Sequence, residues 1–425
     1  MSAPEPSGGA PVRRGDGPVV GLRAEHFPAA AVRTRARTGC AAVFPPEDGY
    51  GTAVFGAAVR SGADLIDSAR LVPPVFTPHR LERLIDLARE PTHRDVVLDT
   101  VVGGFRSPLP VYLSAFGSTR VATGDLGLAA SRQAGRLGIP MCVGENIVPV
   151  NGYRRAEEGS SASLLGRIRA YAAELGDGGG VVVQQSTEDA DAEVWNLVYS
   201  DPGVRPLLDS GRLAFELKVG QGAKPGLGGM TVLDRAAAAR VADQYTLDPA
   251  FGAEGVRVLR CASPGTFTAE ILRHQVRLMG NNFPRARRWV KLPPARDVLQ
   301  ACTVAWEAGA DAVTVDGAEA GTGWAPLGFL DHVGLSLGEC LSRIGRQSSC
   351  LLASGRMWEG TRVAKCLAMG ATAVGLGRAA LLAVDEDGDD GLVRLVDCLA
   401  LELRMIISAL GKYTVDALDL EDIWF

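Results

Sequence analysis

The chain has 425 residues, 47% of them hydrophobic and 22% charged, with a formal net charge of −5. That is ample for a large buried core, and the negative balance argues against a nucleic-acid-binding surface. Eight cysteines are scattered without a CxxC pair, which gives neither a disulfide framework nor a zinc site. No run of 18 apolar residues predicts a membrane span, and a cytoplasmic location is expected.

In chain order, residues 1–18 are rich in Gly, Pro, Ala and Arg and predict a disordered tail. Residues 19–107 mix short helical pieces, clearest at 79–89, with Pro and Gly breaks, and predict an N-terminal extension without an assignable fold. From residue 108 the pattern changes. Short apolar runs at 111–115, 140–143, 181–184, 215–219, 256–261, 289–292, 312–316, 351–355 and 373–377 predict strands. Amphipathic helices are predicted between them at 126–137, 161–175, 233–244, 268–279, 298–308, 335–344 and 360–369. Near-continuous apolar strands alternating with helices imply a parallel sheet buried on both faces. Eight or nine such units within 108–385 favour an α/β fold closed as a TIM (β/α)8 barrel. A C-terminal helical segment, 386–425 with its helix at 392–410, is expected to dock on it.

In such barrels chemistry gathers where the strands end. The last two strands end in Ser354-Gly355-Arg356 and in Gly375, Gly377 and Arg378. Glycines admit an anion to backbone N–H groups and an arginine grips phosphate with two donors, so these loops predict a phosphate site. Tight turns are the alternative. Gly321, Thr322 and Gly323 end another strand in a loop suited to a ribityl–phosphate chain, with a plain loop as the alternative. Lys291 interrupts an apolar strand, which points to a partner or an anionic cofactor locus rather than a tip in solvent. The stretch 215–230 runs from a strand into a loop with five glycines, placing Gln221 and Lys224 over the barrel mouth. A carboxylate or oxyanion suits Lys224, and solvent exposure is the alternative.

That loop carries a resemblance. GQGAKPGLGG at 220–229 resembles the GQGAKPGxGG segment of the FMN-binding synthase domain of glutamate synthases, and that of the related methylamine–glutamate N-methyltransferases (N-methylglutamate synthases). LSAFG at 113–117 is similar to that family's SAMSFG loop, and Gly144-Glu145 to the start of its GEGG loop. VKL at 290–292, GTG at 321–323, SGR at 354–356 and GLG at 375–377 also resemble family segments. DHVG at 331–334, ALGK at 409–412 and LED at 420–422 resemble the N-methylglutamate synthase branch. The resemblance implies FMN as cofactor, held by Ser114, Ala115, Gln184, Lys291, Gly321, Thr322, Gly323, Ser354, Gly355, Arg356, Gly375, Gly377 and Arg378. It makes Lys224 the counterpart of the 2-oxoglutarate-binding lysine.

The departures fall on other parts of the pattern. A glutaminase domain is missing from this sequence. Residues 383–390, where glutamate synthases carry their iron–sulfur cysteines, contain no cysteine, so no cluster is expected. Met230 replaces a substrate-binding Gln, and 263–272 lacks both histidines of the family's HHDIYSIEDL segment. Gln184, Gln185, Glu188 and Asp189 are polar residues able to meet a different substrate or to serve the loop. The expectation is a stand-alone FMN-dependent oxidoreductase acting on the C–N bond of an amino or imino acid. In it Lys224 holds the carboxylate, with Gln221 beside it, and Glu145 handles the proton. Amine exchange on glutamate would fit. Alternatives are a barrel enzyme without net redox change, of the isomerase type, and a flavin-binding non-catalytic subunit. The expected partners are a small amino-acid-like substrate, a separate amine-donor or reductase subunit, and further copies of the chain in a homo-oligomer.

Overall fold

The computed structural model describes residues 27–39, 42, 64–115, 126–144, 158–186, 193–240, 242–243, 245–248, 257–320, 329 and 332–425. Eight parallel strands close into a barrel: β1 Val111–Leu113, β2 Met141–Val143, β3 Val181–Gln185, β4 Leu213–Lys218, β5 Arg287–Leu292, β6 Ala312–Asp316, β7 Leu351–Ser354 and β8 Ala373–Leu376. Neighbours in sequence are neighbours in space, and β8 closes onto β1 through Leu376↔Leu113. Alternate residues of each strand point in and out. On β4, Phe215 and Leu217 face the helices, where the Phe215 ring meets Trp195 and Phe283 at 5.3 and 4.8 Å.

The inward residues nearest the strand starts are apolar. Tyr112, Cys142, Val182, Ala214, Trp289, Ala312, Leu352 and Ala373 form one buried cluster with Val102 and Phe105. The last two belong to a hairpin, Thr100–Val102 with Phe105–Ser107, that closes the end where the strands begin. Its turn passes through Gly103, where a Cβ would lie 2.2 Å from the Trp289 ring, and the Trp289 indole donates to the Gly103 carbonyl at 3.1 Å. Only glycine fits there.

Two expectations fail in the segment between β4 and β5. The run at 256–261 is not a barrel strand, and 233–244 is not a continuous helix. Met230–Asp234, Thr246–Asp248 and Arg257–Cys261 form a separate antiparallel sheet with the order first, third, second. A short apolar run reads the same in a barrel strand and in an outer one, and the β-branched Thr231-Val232 favours strand over helix. Asp234 then accepts from the Ala237 N–H and starts the short helix Arg235–Ala239.

Outside the barrel, helix Gly391–Ala409 buries Leu392, Leu395, Val396, Leu399, Leu403 and Ile407, a helical-period stripe. Helix Ala29–Thr38 packs on it, and Arg35 grips Glu402 with two bonds of 2.9 and 2.5 Å. The strand Ile423–Trp424 pairs antiparallel with Arg70–Leu71. No helix among the described residues is long and apolar enough to cross a membrane.

Candidate functional site

One layer above the apolar cluster the inward residues turn polar. Ser114, Gln184, Glu216, Lys291, Thr314, Ser354 and Gly375 follow the apolar set at a spacing of two on their strands, with Asp316 one step further along β6. The side chains of Ser114, Gln184, Glu216, Lys291, Thr314, Asp316 and Ser354 are buried. A buried polar group must be paired to be tolerated, and Gln184, Glu216, Lys291, Thr314, Asp316 and Ser354 pair within the layer. The Lys291 ammonium is 3.1 Å from Asp316. Asp316 also accepts from the Ser354 hydroxyl at 2.6 Å and from the Gly222 N–H at 3.2 Å. Glu216 accepts from the Gln184 amide, from Thr314 at 3.2 Å and from the Cys142 thiol at 3.4 Å.

Burial works against the Lys291 charge, but Asp316 and Glu216 more than offset it and hold the ammonium above the usual lysine range. Burial raises Glu216 above the ordinary carboxylate value, opposed by Lys291 and by its hydrogen-bond donors. Burial also raises Tyr112, and the Glu216 and Asp316 charges add to it. The layer therefore holds the Lys291 ammonium among the buried carboxyl groups of Asp316 and Glu216.

The loop after β4 folds over this layer. Lys218 donates to the Gln221 side chain at 3.3 Å. A Cβ on Gly222 would lie 2.5 Å from both Ala320 and the Gly317 carbonyl, so the loop's glycines serve a close approach to the loop after β6. Lys224 lies within it at only 3% exposure, so the exposed alternative for this lysine is excluded.

Beyond β7 and β8 lie the arginine loops. Arg356 takes a left-handed backbone (φ 54°), and its Nη1 donates to Asp67 at 2.7 Å. Its Nε is buried and has no hydrogen-bond partner among the described residues. Gly377 precedes helix Arg378–Glu386 without a side-chain cap, leaving the first N–H groups of that helix to another acceptor. Arg378 donates to the Glu319 carbonyl at 2.7 Å and lies over the Phe27 ring at 5.0 Å. Burial, and then the positive field of Arg356, lowers the Arg378 pKa. The Gly355 carbonyl accepts from Arg362 at 3.1 Å, and Gly375 faces the Tyr112 ring.

The structure thus gathers Ser114, Gln184, Lys291, Ser354 and Gly375 into one layer, next to the loops of Gln221 and Lys224 and of Gly355, Arg356, Gly377 and Arg378. Ala115 lies two residues past the end of β1 and is partly exposed. Glu145, Gly321, Thr322, Gly323, Glu188, Asp189 and Asp331 lie outside the described residues. Sequence reading overlooked Glu216, Thr314 and Asp316; the signal was the alternation itself, since each stands two residues from another inward position.

Compared with known proteins, residues 162–386 match the conserved region in glutamate synthase. That region is more than half of the sequence. The chain belongs to the glutamate synthase family. Among curated relatives of this family member, the archaeal glutamate synthase [NADPH] of Methanocaldococcus jannaschii is 30% identical over 188 residues, 40% of this chain and 34% of that protein. A glutamate synthase large subunit-like protein of Rhizobium meliloti is 28% identical over 272 residues, 62% of this chain and 59% of that protein. The glutamate synthase-family chain therefore spans between about a third and three-fifths of these relatives. Among solved structures, a soluble mutant of the membrane-associated (S)-mandelate dehydrogenase from Pseudomonas putida aligns at TM-score 0.56 with 17% identity, covering 94% of this chain and 99% of that one. The flavin-binding domain of baker's yeast flavocytochrome b2 aligns at 0.52 with 17% identity, covering 84% and 76%. These likenesses are of fold.

Proposed function

We propose that the chain is an FMN-dependent oxidoreductase acting on the C–N bond of an amino or imino acid, in a reaction that exchanges the amine on glutamate or a related amino acid. The observation that carries this reading is the anion site after β7 and β8. There a buried Arg356 Nε has no acceptor among the described residues, and a second guanidinium and a helix start without a side-chain cap among those residues lie nearby. A phosphate monoester satisfies all three. The residues present fit FMN on that count, and the polar layer beside them fits a heterocycle rich in acceptors. FMN when bound supplies two-electron exchange with the substrate carbon.

The chain's own part is electrostatic and positional. Arg356 and Arg378 neutralise the phosphate. Lys291, kept protonated by Asp316, offers an ammonium donor to an electron-rich ring above the layer. Lys224, buried in the glycine loop, holds the substrate carboxylate with Gln221 beside it, and Glu145 is the proton-handling group. Reductase and amine-donor functions are assigned to separate chains, and no iron–sulfur cluster is part of this reading, because residues 383–390 contain no cysteine.

The absorption spectrum of the purified protein tests the cofactor: a flavin band is expected, and its absence ends the proposal. Anaerobic titration with glutamate and its N-alkyl derivatives is expected to bleach that band. In Lys224→Ala the bleaching weakens about 10-fold or more while flavin stays bound, as expected for a lost charged hydrogen bond to the substrate. Loss of flavin from that variant instead would remove Lys224 from the substrate side.

A further inference from the structure

We infer that Asp67, in the segment preceding the barrel, is a positioning residue of the anion site: it holds Arg356 with one edge of the guanidinium turned to the phosphate. The inference rests on the FMN reading above and adds to it a residue outside the 162–386 family region.

The four-residue helix Leu65–Ser68 is fixed at the barrel from several sides. Asp64 accepts from the Asp67 N–H at 2.7 Å and starts the turn. Ile66 is fully buried, and its carbonyl accepts from Lys365 at 2.9 Å. Arg362, 1% exposed, donates to Asp64 at 2.9 Å, to Asp67 at 2.5 Å, to Glu319 at 2.6 Å and to the Gly355 carbonyl at 3.1 Å. One buried guanidinium therefore ties this segment to the loops after β6 and β7.

Asp67 is the residue that passes this order on to Arg356. Its Oδ1 takes Arg362 and its Oδ2 takes Arg356 Nη1 at 2.7 Å. Arg356 has reason to need the support: its backbone is left-handed at φ 54°, a conformation that non-glycine residues hold only when their surroundings over-determine it. With Nη1 engaged, the Nε–Nη2 edge remains. Its Nε is the buried donor without a partner among the described residues. That edge is the fork that binds a phosphate with two parallel hydrogen bonds. Asp67 and a phosphate thus occupy different edges of one guanidinium and do not compete for it.

The test is a fluorescence titration of the full-length apoprotein with FMN and with riboflavin, which differ by the phosphate alone. For Asp67→Ala, FMN affinity is expected to fall about tenfold while riboflavin affinity stays unchanged. Asp67→Asn keeps an acceptor for Arg356 and is expected to remain within about threefold of the native protein for both ligands. Circular dichroism confirms that each variant is folded. Equal losses for the two ligands make Asp67 merely structural, and an unchanged or tighter FMN affinity in Asp67→Ala makes it neutral or a competitor; each overturns the inference while leaving the FMN reading standing. A native protein that binds both flavins without preferring FMN has no phosphate site for Asp67 to serve and also overturns it. A native protein that binds neither flavin removes the functional reading itself, and this inference with it.

Discussion

Replacing Lys291 with methionine leaves Asp316 and Glu216 buried in the upper layer with no cation between them. Removing one partner from a buried ion pair commonly costs about 3–5 kcal/mol, because the remaining charge is uncompensated. Lys291→Met is expected to lose stability on that scale in guanidinium denaturation, whereas a surface lysine change would scarcely register. The sign of the pH effect follows from the raised lysine pKa. Its contribution is complete below the ordinary lysine value and is lost as pH rises through the higher folded value, so the stability gap between the native protein and the variant is expected to narrow at strongly alkaline pH. At this scale the sequence was legible where a residue broke its surroundings. Lys291 stands out in an apolar strand, and Ser354 and Gly375 stand at strand ends. Glu216 and Asp316 were harder, because Glu216 sits between two large apolar residues and reads as a loop-proximal charge until the strand's alternation is counted from Ala214.

The helix Leu65–Ser68 shows what one element can do to the titration of another. Glu319 and Asp64 share the Arg362 guanidinium. Burial pushes Glu319 up to about 7, with Arg362 opposing and Asp64 adding to the rise. Burial also acts on Asp64, but Arg362 overrides it and brings Asp64 below its ordinary range. A raised acid binds more protons folded than unfolded, so Glu319 makes stability fall as pH rises from the usual glutamate value to about 7. Asp64 acts oppositely, its contribution being lost as pH falls below the usual aspartate range. Glu319→Gln keeps acceptors for Arg362 and Leu337, and is expected to flatten the pH 4.5–7 part of the stability curve by on the order of 2 kcal/mol, measured by urea denaturation at several pH values. None of this was legible in the sequence. A single helical turn has no periodicity to detect, and its partners Arg356 and Arg362 are 289 to 298 residues away. The helices 126–137, 298–308 and 360–369 were legible because several turns repeat the same apolar face, and they appear as Leu126–Leu137, Val298–Glu307 and Gly360–Ala368.

For the whole molecule, the barrel could be read from the alternation of apolar runs and amphipathic helices, while its accessories could not. The docking of the hairpin floor on Trp289, the pairing of Ile423–Trp424 with Arg70–Leu71 and the outer sheet all depend on contacts between segments well apart in the chain. Composition cannot rank such contacts, and 256–261 was therefore placed in the barrel. The two ends of the outer-sheet segment meet where the Ala262 N–H donates to the Gly229 carbonyl at 2.8 Å. Its two stems thus already touch, and loop-closure entropy changes only slowly with the length of chain between them. The sheet is consequently a module that can be excised: joining the stems with a short Gly/Ser linker in place of 230–261 should keep the melting temperature within a few degrees and keep the flavin band, a drop of more than about 8 °C showing that the barrel leans on it. Evolution can then rewrite this module by insertion or deletion as freely as point mutation rewrites a loop, without renegotiating the closure of the eight strands beneath it.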